Sequence, residues 1–212
     1  CSNTINNLYQ PVVKRYFLIA LLLGISSNAT GSIDWSSPST CNIEDSKNLD
    51  EIINQMTLRQ KIGQIIMPDI QYVTPEEAKK YQLGSILNGG GSWPNNKKTS
   101  TVQDWQNLSK AYYDASPVIG DQIVPIIWGT DAVHGHSNVI GATVFPHNIG
   151  IGATQDTDLI KRIAGVVAKE VLSTGIVWTF APTITVPQND TWGRTYEGFS
   201  ENQDLVSRIG KA

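Results

Sequence analysis

In four segments of the chain, the apolar residues are spaced so that they would lie on one face of a helix. The clearest runs from about Asp156 to Thr174, where apolar residues recur every three or four positions. Asp156 or Thr157 can cap its amino end, and Gly175 can adopt the left-handed conformation that ends a helix. The same spacing predicts three further helices, at Leu49, Ile52, Ile53 and Met56, across Thr101–Tyr112, and from Glu201 onward.

Between these helices lie short, continuous apolar runs of the kind that form buried parallel strands. They are Ile65–Met67, Leu83–Leu87, Ile123–Trp128 and Ile176–Phe180. Pro125 must lie at the start of its strand or at an unpaired position, because proline has no N–H. Alternating strands and helices predict an α/β fold with a parallel sheet and about four βα units. A closed eight-stranded barrel usually needs about 250 residues, so the pattern fits an open sheet or the front part of a barrel.

The first 46 residues differ from the rest of the chain. Lys14 and Arg15 precede an apolar run of about ten residues, which is followed by small residues up to Ala29. This order predicts a signal peptide over residues 1–29 and export to the periplasm or the exterior, with a buried amino-terminal helix as the alternative. The run is too short for a membrane span, so we expect no membrane anchor in the mature chain. Residues 30–46 are predicted to be a polar linker, and residues 47–212 the folded domain.

The composition limits the partners that the domain can have. The 212 residues carry a net charge of −3, and the 16 lysines and arginines are scattered among 19 acidic residues. A nucleic-acid surface would show a basic stripe, so we expect no nucleic-acid partner but a neutral or small solute. The glycines at positions 89–91 have neither dinucleotide nor phosphate-loop spacing, and we predict no cofactor.

The segment 128–136, WGTDAVHGH, follows the third apolar run and places a carboxylate where a parallel sheet builds its site. Asp131 could accept hydrogen bonds from hydroxyl groups or bind a metal, or it could simply cap a loop. His134 and His136 are two residues apart and resemble a metal-ligand pair beside Asp131. Histidines in such loops are more often structural, and we predict no metal site.

The segment 192–201, WGRTYEGFSE, carries the second candidate group. The glycine before Arg194 allows the backbone close approach, and a guanidinium makes planar, bidentate contacts. The structural alternative is an ion pair between Arg194 and Glu197 or Asp190. Tyr196 and Phe199 could stack on a sugar, although core packing is the more common role of an aromatic side chain.

Four motifs in this order carry a resemblance to a known family. GSILNGGG at 84–91, WGTDAVHG at 128–135, GATVFPHNIG at 141–150 and WGRTYEGFSE at 192–201 resemble the N-terminal barrel of glycoside hydrolase family 3 β-glucosidases and exoglucanases. The resemblance runs from about Thr57 to the end and includes LRQKIGQ at 58–64. It implies the N-terminal part of a (β/α)8 TIM-like barrel, incomplete in this chain.

The resemblance also implies a function. Family members release terminal glucose from β-glucosides by a retaining mechanism that uses two carboxylates. By resemblance, Asp131 holds hydroxyl groups of the terminal sugar and Arg194 is its partner in the same subsite. The family's Lys-His pair, nucleophile and acid/base do not follow Arg194 here, so we expect no catalytic residue in this chain and no activity of the isolated polypeptide. The alternatives are a non-catalytic, weak sugar-binding fragment and a metal-dependent hydrolase that uses His134 and His136.

Overall fold

The computed structural model describes residues 43–212, which form a mixed α/β fold. The predicted signal peptide and most of the predicted linker lie outside these residues. Seven α-helices are found in the described part: α1 (Ile43–Gln55), α2 (Leu58–Gln64), α3 (Pro75–Tyr81), α4 (Val102–Asp114), α5 (Asn148–Ala153), α6 (Thr157–Ser173) and α7 (Gln203–Lys211). Two short 3-10 turns add Pro94–Asn96 and Thr195–Glu197. Helix α1 begins at Ile43, within the predicted linker of residues 30–46.

Three parallel strands form the main sheet in the order β1 (Ser85–Asn88), β4 (Ile127–Thr130) and β5 (Trp178–Thr179). Ile86 pairs with Trp128, and Thr130 pairs with Thr179. A separate antiparallel hairpin joins β2 (Val118–Ile119) to β3 (Gln122–Ile123). The predicted α/β class with parallel strands is confirmed. These three strands do not amount to a barrel within residues 43–212, so the barrel stays a proposal.

The predicted strand at Ile65–Met67 is wrong. Ile65 caps the carboxyl end of α2 and is highly exposed. This segment pairs with β1 only further along the chain, through a single bridge between Asp69 and Leu87. Pro68 has no N–H to donate, but its carbonyl accepts from the Leu87 N–H at 3.0 Å. The chain therefore reaches the sheet edge with Asp69 at the carboxyl end of β1.

The other predicted strands are shorter than their apolar runs. The run Ile123–Trp128 is divided, because Ile123 belongs to the β2–β3 hairpin and β4 begins only at Ile127, beyond Pro125. Proline breaks the ladder at this point because it lacks a donor. In the fourth run only Trp178 and Thr179 are paired as a strand, although the Phe180 N–H still donates to the Thr130 carbonyl at 3.0 Å.

The predicted helix ends at α6 are confirmed. The Asp156 carboxylate accepts from the Leu159 N–H at 2.9 Å, which satisfies a donor that the first turn leaves free. Gly175 follows the helix with φ +82°, the left-handed conformation that glycine adopts without strain. Its carbonyl accepts from the Ser109 hydroxyl at 2.9 Å, so the end of α6 is tied to α4.

The main core lies between the sheet and α4. Trp105 of α4 is fully buried, and its ring centroid lies 5.9 Å from that of Trp128 on β4. Tyr112 packs edge-on against Trp128 and donates its hydroxyl to the Val73 carbonyl at 2.6 Å. Full burial of one such side chain contributes about 1.5–3 kcal/mol. This packing holds β4 in a fixed position, and therefore also Asp131, which follows it.

A second apolar cluster joins α5, α6 and α7 through Ile151, Ile160, Phe199, Leu205 and Ile209. It anchors the segment around Phe199 and so supports the loop that carries Arg194. Among residues 43–212, no helix combines the length and the hydropathy that crossing a bilayer requires.

Candidate functional site

Asp131 lies directly beyond the carboxyl end of β4. Its N–H donates to the Asn88 carbonyl at 3.3 Å, so the backbone is tied to the end of β1. The side chain is half-buried, and its carboxylate accepts no hydrogen bond from the residues that the structure describes. The lone pairs of this carboxylate are therefore free for a ligand that donates hydrogen bonds.

The charge of Asp131 depends on three neighbouring groups and on burial. Burial raises the pKa of the Asp131 carboxyl above its ordinary value, the Arg194 guanidinium lowers that pKa, and the carboxylates of Glu197 and Asp69 raise it further. Asp131 and Arg194, which the sequence identifies in two separate motifs, thus act on each other electrostatically. Ionised Asp131 is an acceptor in a partly desolvated position, where hydrogen bonds from hydroxyl groups are strengthened.

Arg194 forms an ion pair with Glu197, one of the two alternatives that the sequence left open. Its Nε lies 2.9 Å from Oε1 of Glu197, and its Nη2 lies 2.6 Å from Oε2, so the contact is bidentate. The Arg194 side chain is 62% exposed, whereas that of Glu197 is 12% exposed. The hydrogen bond from Arg194 lowers the pKa of Glu197. Two of the five guanidinium N–H groups are used in this contact, and the others are available to a ligand.

Asp69 is a carboxylate of the same region that the sequence analysis missed. Oδ2 of Asp69 lies 3.8 Å from the place where a Cβ on Gly89 would stand, and Oδ2 of Asp131 lies 3.7 Å from it. The two carboxylates thus flank one glycine. The rule that identified Asp131 could have found Asp69, since this residue also follows an apolar run, Ile65–Met67, at the carboxyl edge of the sheet.

The structure does not bring His134 and His136 together. His136 is fully buried, with its ring beside Trp105 and its Nε2 at 3.1 Å from the Thr174 hydroxyl oxygen. That hydroxyl donates to the Val171 carbonyl, so Nε2 of His136 carries a proton and donates to the hydroxyl oxygen. Burial lowers the pKa of His136 to about 4.

His134 has a different environment. Its Nδ1 donates to the Phe145 carbonyl at 2.7 Å, and its ring stacks on that of His147 with centroids 3.9 Å apart. Across residues 43–212, no three histidine, cysteine, aspartate or glutamate side chains are grouped in a way that could hold a metal ion. The geometry therefore gives no support to the metal-dependent alternative.

The aromatic residues of the second motif divide between surface and core. Phe199 is buried in the second apolar cluster. Tyr196 is 44% exposed and packs edge-on against His147 with ring centroids 4.6 Å apart. Trp192 is also partly exposed. Tyr196 and Trp192 thus remain open to a ligand on the side of Arg194, whereas Phe199 does not.

Comparison with known proteins identifies the family. Residues 57–212 match the model of the glycosyl hydrolase family 3 N terminal domain. Over 77% of its length the chain is 31% identical to a lysosomal beta glucosidase of Dictyostelium discoideum. Over 76% of its length it is 29% identical to a periplasmic beta-glucosidase of Salmonella typhimurium. The chain spans about a fifth of these relatives, 22% and 19% of their lengths.

A solved structure agrees with this assignment. The exo-1,3/1,4-beta-glucanase from a Pseudoalteromonas species matches 80% of the chain with a TM-score of 0.74 and 47% sequence identity, and 22% of that protein is covered. A beta-glucosidase involved in saponin metabolism from intestinal bacteria matches 77% of the chain with a TM-score of 0.59 and 25% identity. The resemblance noted in the sequence is confirmed, and the chain belongs to glycosyl hydrolase family 3 through that family's N-terminal domain.

Proposed function

We propose that this chain forms the sugar-binding part of an enzyme that hydrolyses terminal, non-reducing β-D-glucosyl residues from β-glucosides and oligosaccharides. The observation that carries the proposal is the free carboxylate of Asp131 at the carboxyl end of β4. Both named beta-glucosidase relatives and the exo-glucanase structure support a β-linked glucose substrate. In the complete enzyme, the strands of this domain would be part of a (β/α)8 barrel.

Asp131 and Arg194 divide the binding between an acceptor and a donor. The Asp131 carboxylate accepts hydrogen bonds from two neighbouring sugar hydroxyl groups, and the guanidinium N–H groups that Glu197 leaves free donate to a hydroxyl oxygen. Charged partners make such hydrogen bonds about twice as strong as neutral ones. Contacts to hydroxyl groups remote from the reacting carbon accelerate the reaction where they strengthen in the transition state.

The chemical step requires two further carboxylates. A retaining glycosidase uses a nucleophile that attacks the anomeric carbon and an acid/base that protonates the leaving oxygen. We assign neither role to Asp131, because by resemblance it belongs to binding, and we place the nucleophile and the acid/base beyond the residues of this chain. The polypeptide of 212 residues, assayed by itself, is therefore predicted to bind a sugar weakly and to release no glucose.

We further propose that the protein is exported to the periplasm or the exterior. The support is the order of basic, apolar and small residues before Ala29, together with the periplasmic location in the name of the Salmonella typhimurium relative.

Calorimetric titration of the chain tests the binding proposal. We expect laminaribiose and cellobiose, which are β-linked, to bind, and maltose, which is α-linked, to bind more weakly or not at all. Asp131→Asn keeps the shape of the side chain but removes its charge, so we expect at least about a tenfold loss of affinity. The matched control is Asp121→Asn, an exposed aspartate in the β2–β3 turn. Equal affinities of Asp131→Asn and Asp121→Asn would contradict the proposal.

A further inference from the structure

The carboxylate of Asp69 accepts hydrogen bonds from three donors of its own surroundings. Oδ2 accepts from the Gly89 N–H at 3.1 Å, and Oδ1 accepts from the Gln71 N–H at 2.8 Å. The hydroxyl oxygen of the buried Ser92 lies 2.7 Å from both carboxylate oxygens and donates to this carboxylate. Asp131, in contrast, keeps its carboxylate free. The two acids on either side of Gly89 therefore differ: three protein donors hold the Asp69 carboxylate in place, whereas the Asp131 carboxylate accepts no hydrogen bond from the described residues.

The partners of Asp69 belong to the loop of residues 89–92 that follows β1. A Cβ placed on Gly90 or on Gly91 would have no atom within 4 Å, so no neighbouring group packs against these two glycines and fixes them. Glycine has more conformational freedom than any other residue, and an unsupported run of three would sample many shapes.

Asp69 fixes both ends of this loop. It holds the N–H of Gly89 at one end and the hydroxyl of Ser92 at the other. The Gly89 carbonyl accepts from Nδ2 of Asn138 at 2.8 Å, and the Gly91 carbonyl accepts from Nε2 of Gln71 at 3.1 Å. The loop is thereby held beside Asp131, and a side chain at position 89 would narrow the space around the carboxylate, because a Cβ there would stand 3.7 Å from Oδ2 of Asp131.

We propose that Asp69 is a positioning residue that holds the 89–92 loop as one wall of the sugar subsite at Asp131. This inference rests on the proposed function, because it gives Asp69 a part in the same subsite. Asp69 acts through the loop and does not itself contact the sugar.

The charge of Asp69 provides a second, independent effect on the subsite. Burial is the largest cause of the raised pKa of Asp131, Arg194 opposes it, and the carboxylates of Glu197 and Asp69 add to it. Removing the charge of Asp69 should thus lower the pKa of Asp131. The pKa of Asp131 thus reports the charge of Asp69, whereas hydrogen exchange at Gly89 reports how firmly the loop is held.

The test compares Asp69→Asn and Ser92→Ala with the control Asp121→Asn in the 212-residue chain, using isotope-labelled protein. Asp69→Asn points an N–H₂ group at a backbone donor and removes the charge. Ser92→Ala removes one hydrogen bond to the loop, keeps the charge and fits the buried position. Three quantities are measured: hydrogen exchange of the Gly89 amide, the pKa of the Asp131 carboxyl from its carbon resonance, and laminaribiose affinity.

We expect Asp69→Asn to accelerate exchange at Gly89 by about tenfold or more, because a hydrogen bond to a charged group is lost. It should also weaken laminaribiose binding by about tenfold and lower the pKa of Asp131. Ser92→Ala should weaken binding while the pKa of Asp131 stays as in the unmodified chain. If Asp69→Asn is too unstable to study, Ser92→Ala decides through Gly89 exchange and affinity.

The outcomes separate this inference from the proposed function. If Asp131→Asn loses affinity while Asp69→Asn and Ser92→Ala bind like the control, the positioning role is overturned and the subsite stands. If Asp131→Asn binds like the control, the subsite itself is refuted, and Asp69 has no part in sugar binding whatever the exchange at Gly89 shows. Loss of affinity in Asp131→Asn, Asp69→Asn and Ser92→Ala, with fast exchange at Gly89 only in the last two, supports both the subsite and the positioning role of Asp69.

Discussion

Replacing Gly152 by alanine tests the packing that carries the Arg194 loop. Gly152 lies in α5, where its backbone faces the Phe199 carbonyl. A Cβ at this position would stand 1.8 Å from the Phe199 oxygen, whereas real Cβ atoms essentially never come closer than 3.0 Å. Either α5 or the Phe199 segment must therefore move by more than about 1 Å, and the backbone of both is buried at the second apolar cluster.

The magnitude follows from two opposing effects. Alanine in a helix is favoured over glycine by about 0.5–1 kcal/mol, and overpacking a well-packed site costs about 1–3 kcal/mol or more. We place Gly152→Ala at the upper end because the clashing atom is backbone, which gives a net loss of about 2 kcal/mol. For a chain of this size such a loss lowers Tm by about 4–8 °C.

Two other glycines provide matched controls. Gly150 lies in the same helix, and a Cβ there would meet only a Pro146 carbon at 3.4 Å. Gly165 lies in α6 with no atom within 4 Å of its built Cβ. Gly165→Ala should therefore raise Tm by about 1–4 °C, since it gains helix propensity without a clash.

Thermal unfolding followed by circular dichroism measures all three variants, and sugar titration shows the effect on the site. Asn148 donates from Nδ2 to the Glu197 carbonyl at 2.8 Å, so a displaced α5 also displaces the ion-pair partner of Arg194. Gly152→Ala should thus weaken sugar binding as well as stability. A Gly152→Ala variant as stable as Gly150→Ala would refute the packing of α5 on the Phe199 segment.

Three further predictions concern charge. The pKa of Asp131 is raised by burial, so its contribution to stability is lost as pH rises through that pKa; Asp131→Asn should raise Tm at neutral pH, and the gain should vanish below the ordinary aspartate pKa. The pKa of His136 is lowered to about 4, so its contribution to the free energy of unfolding, about 3 kcal/mol, is lost as pH falls from 6.5 towards 4. Tm measured against pH should therefore fall less steeply over this range in His136→Gln than in the unmodified chain. Arg194→Ala should weaken sugar binding in titrations yet change Tm little, because its ion pair with Glu197 is largely solvated on the arginine side.

Local signals in the sequence predicted the four longest helices, α1, α4, α6 and α7, whereas the short helices α3 and α5 were not predicted. Asp156 and Gly175 mark the two ends of α6 because capping depends on a few neighbouring residues that the sequence shows directly. Strand lengths depend on distant partners, and they were overestimated. The apolar run at Ile65–Met67 predicted a strand, but Ile65 caps the carboxyl end of α2 and Pro68 has no N–H to donate, so pairing begins only at Asp69.

The site could be predicted in part. Asp131 and Arg194 are identifiable from their motifs, and whether they bind a sugar remains a prediction. The bidentate contact of Arg194 with Glu197 was one of two ion pairs that the spacing allowed, and only the three-dimensional turn selects it. The position of Asp69 after an apolar run was visible in the sequence, but its hydrogen bonds were not, because Gly89 and Ser92 lie 20 or more residues away in the chain.

A map of chemical-shift changes in the labelled chain during titration with laminaribiose tests directly whether Asp131 and Arg194 bind a sugar. We expect saturable changes at Asp131, at Arg194 and along the 89–92 loop, with the changes at Asp131 and Arg194 lost in Asp131→Asn. Changes confined to another surface, or changes that persist unaltered in Asp131→Asn, would contradict the assignment of a sugar subsite to this end of the sheet.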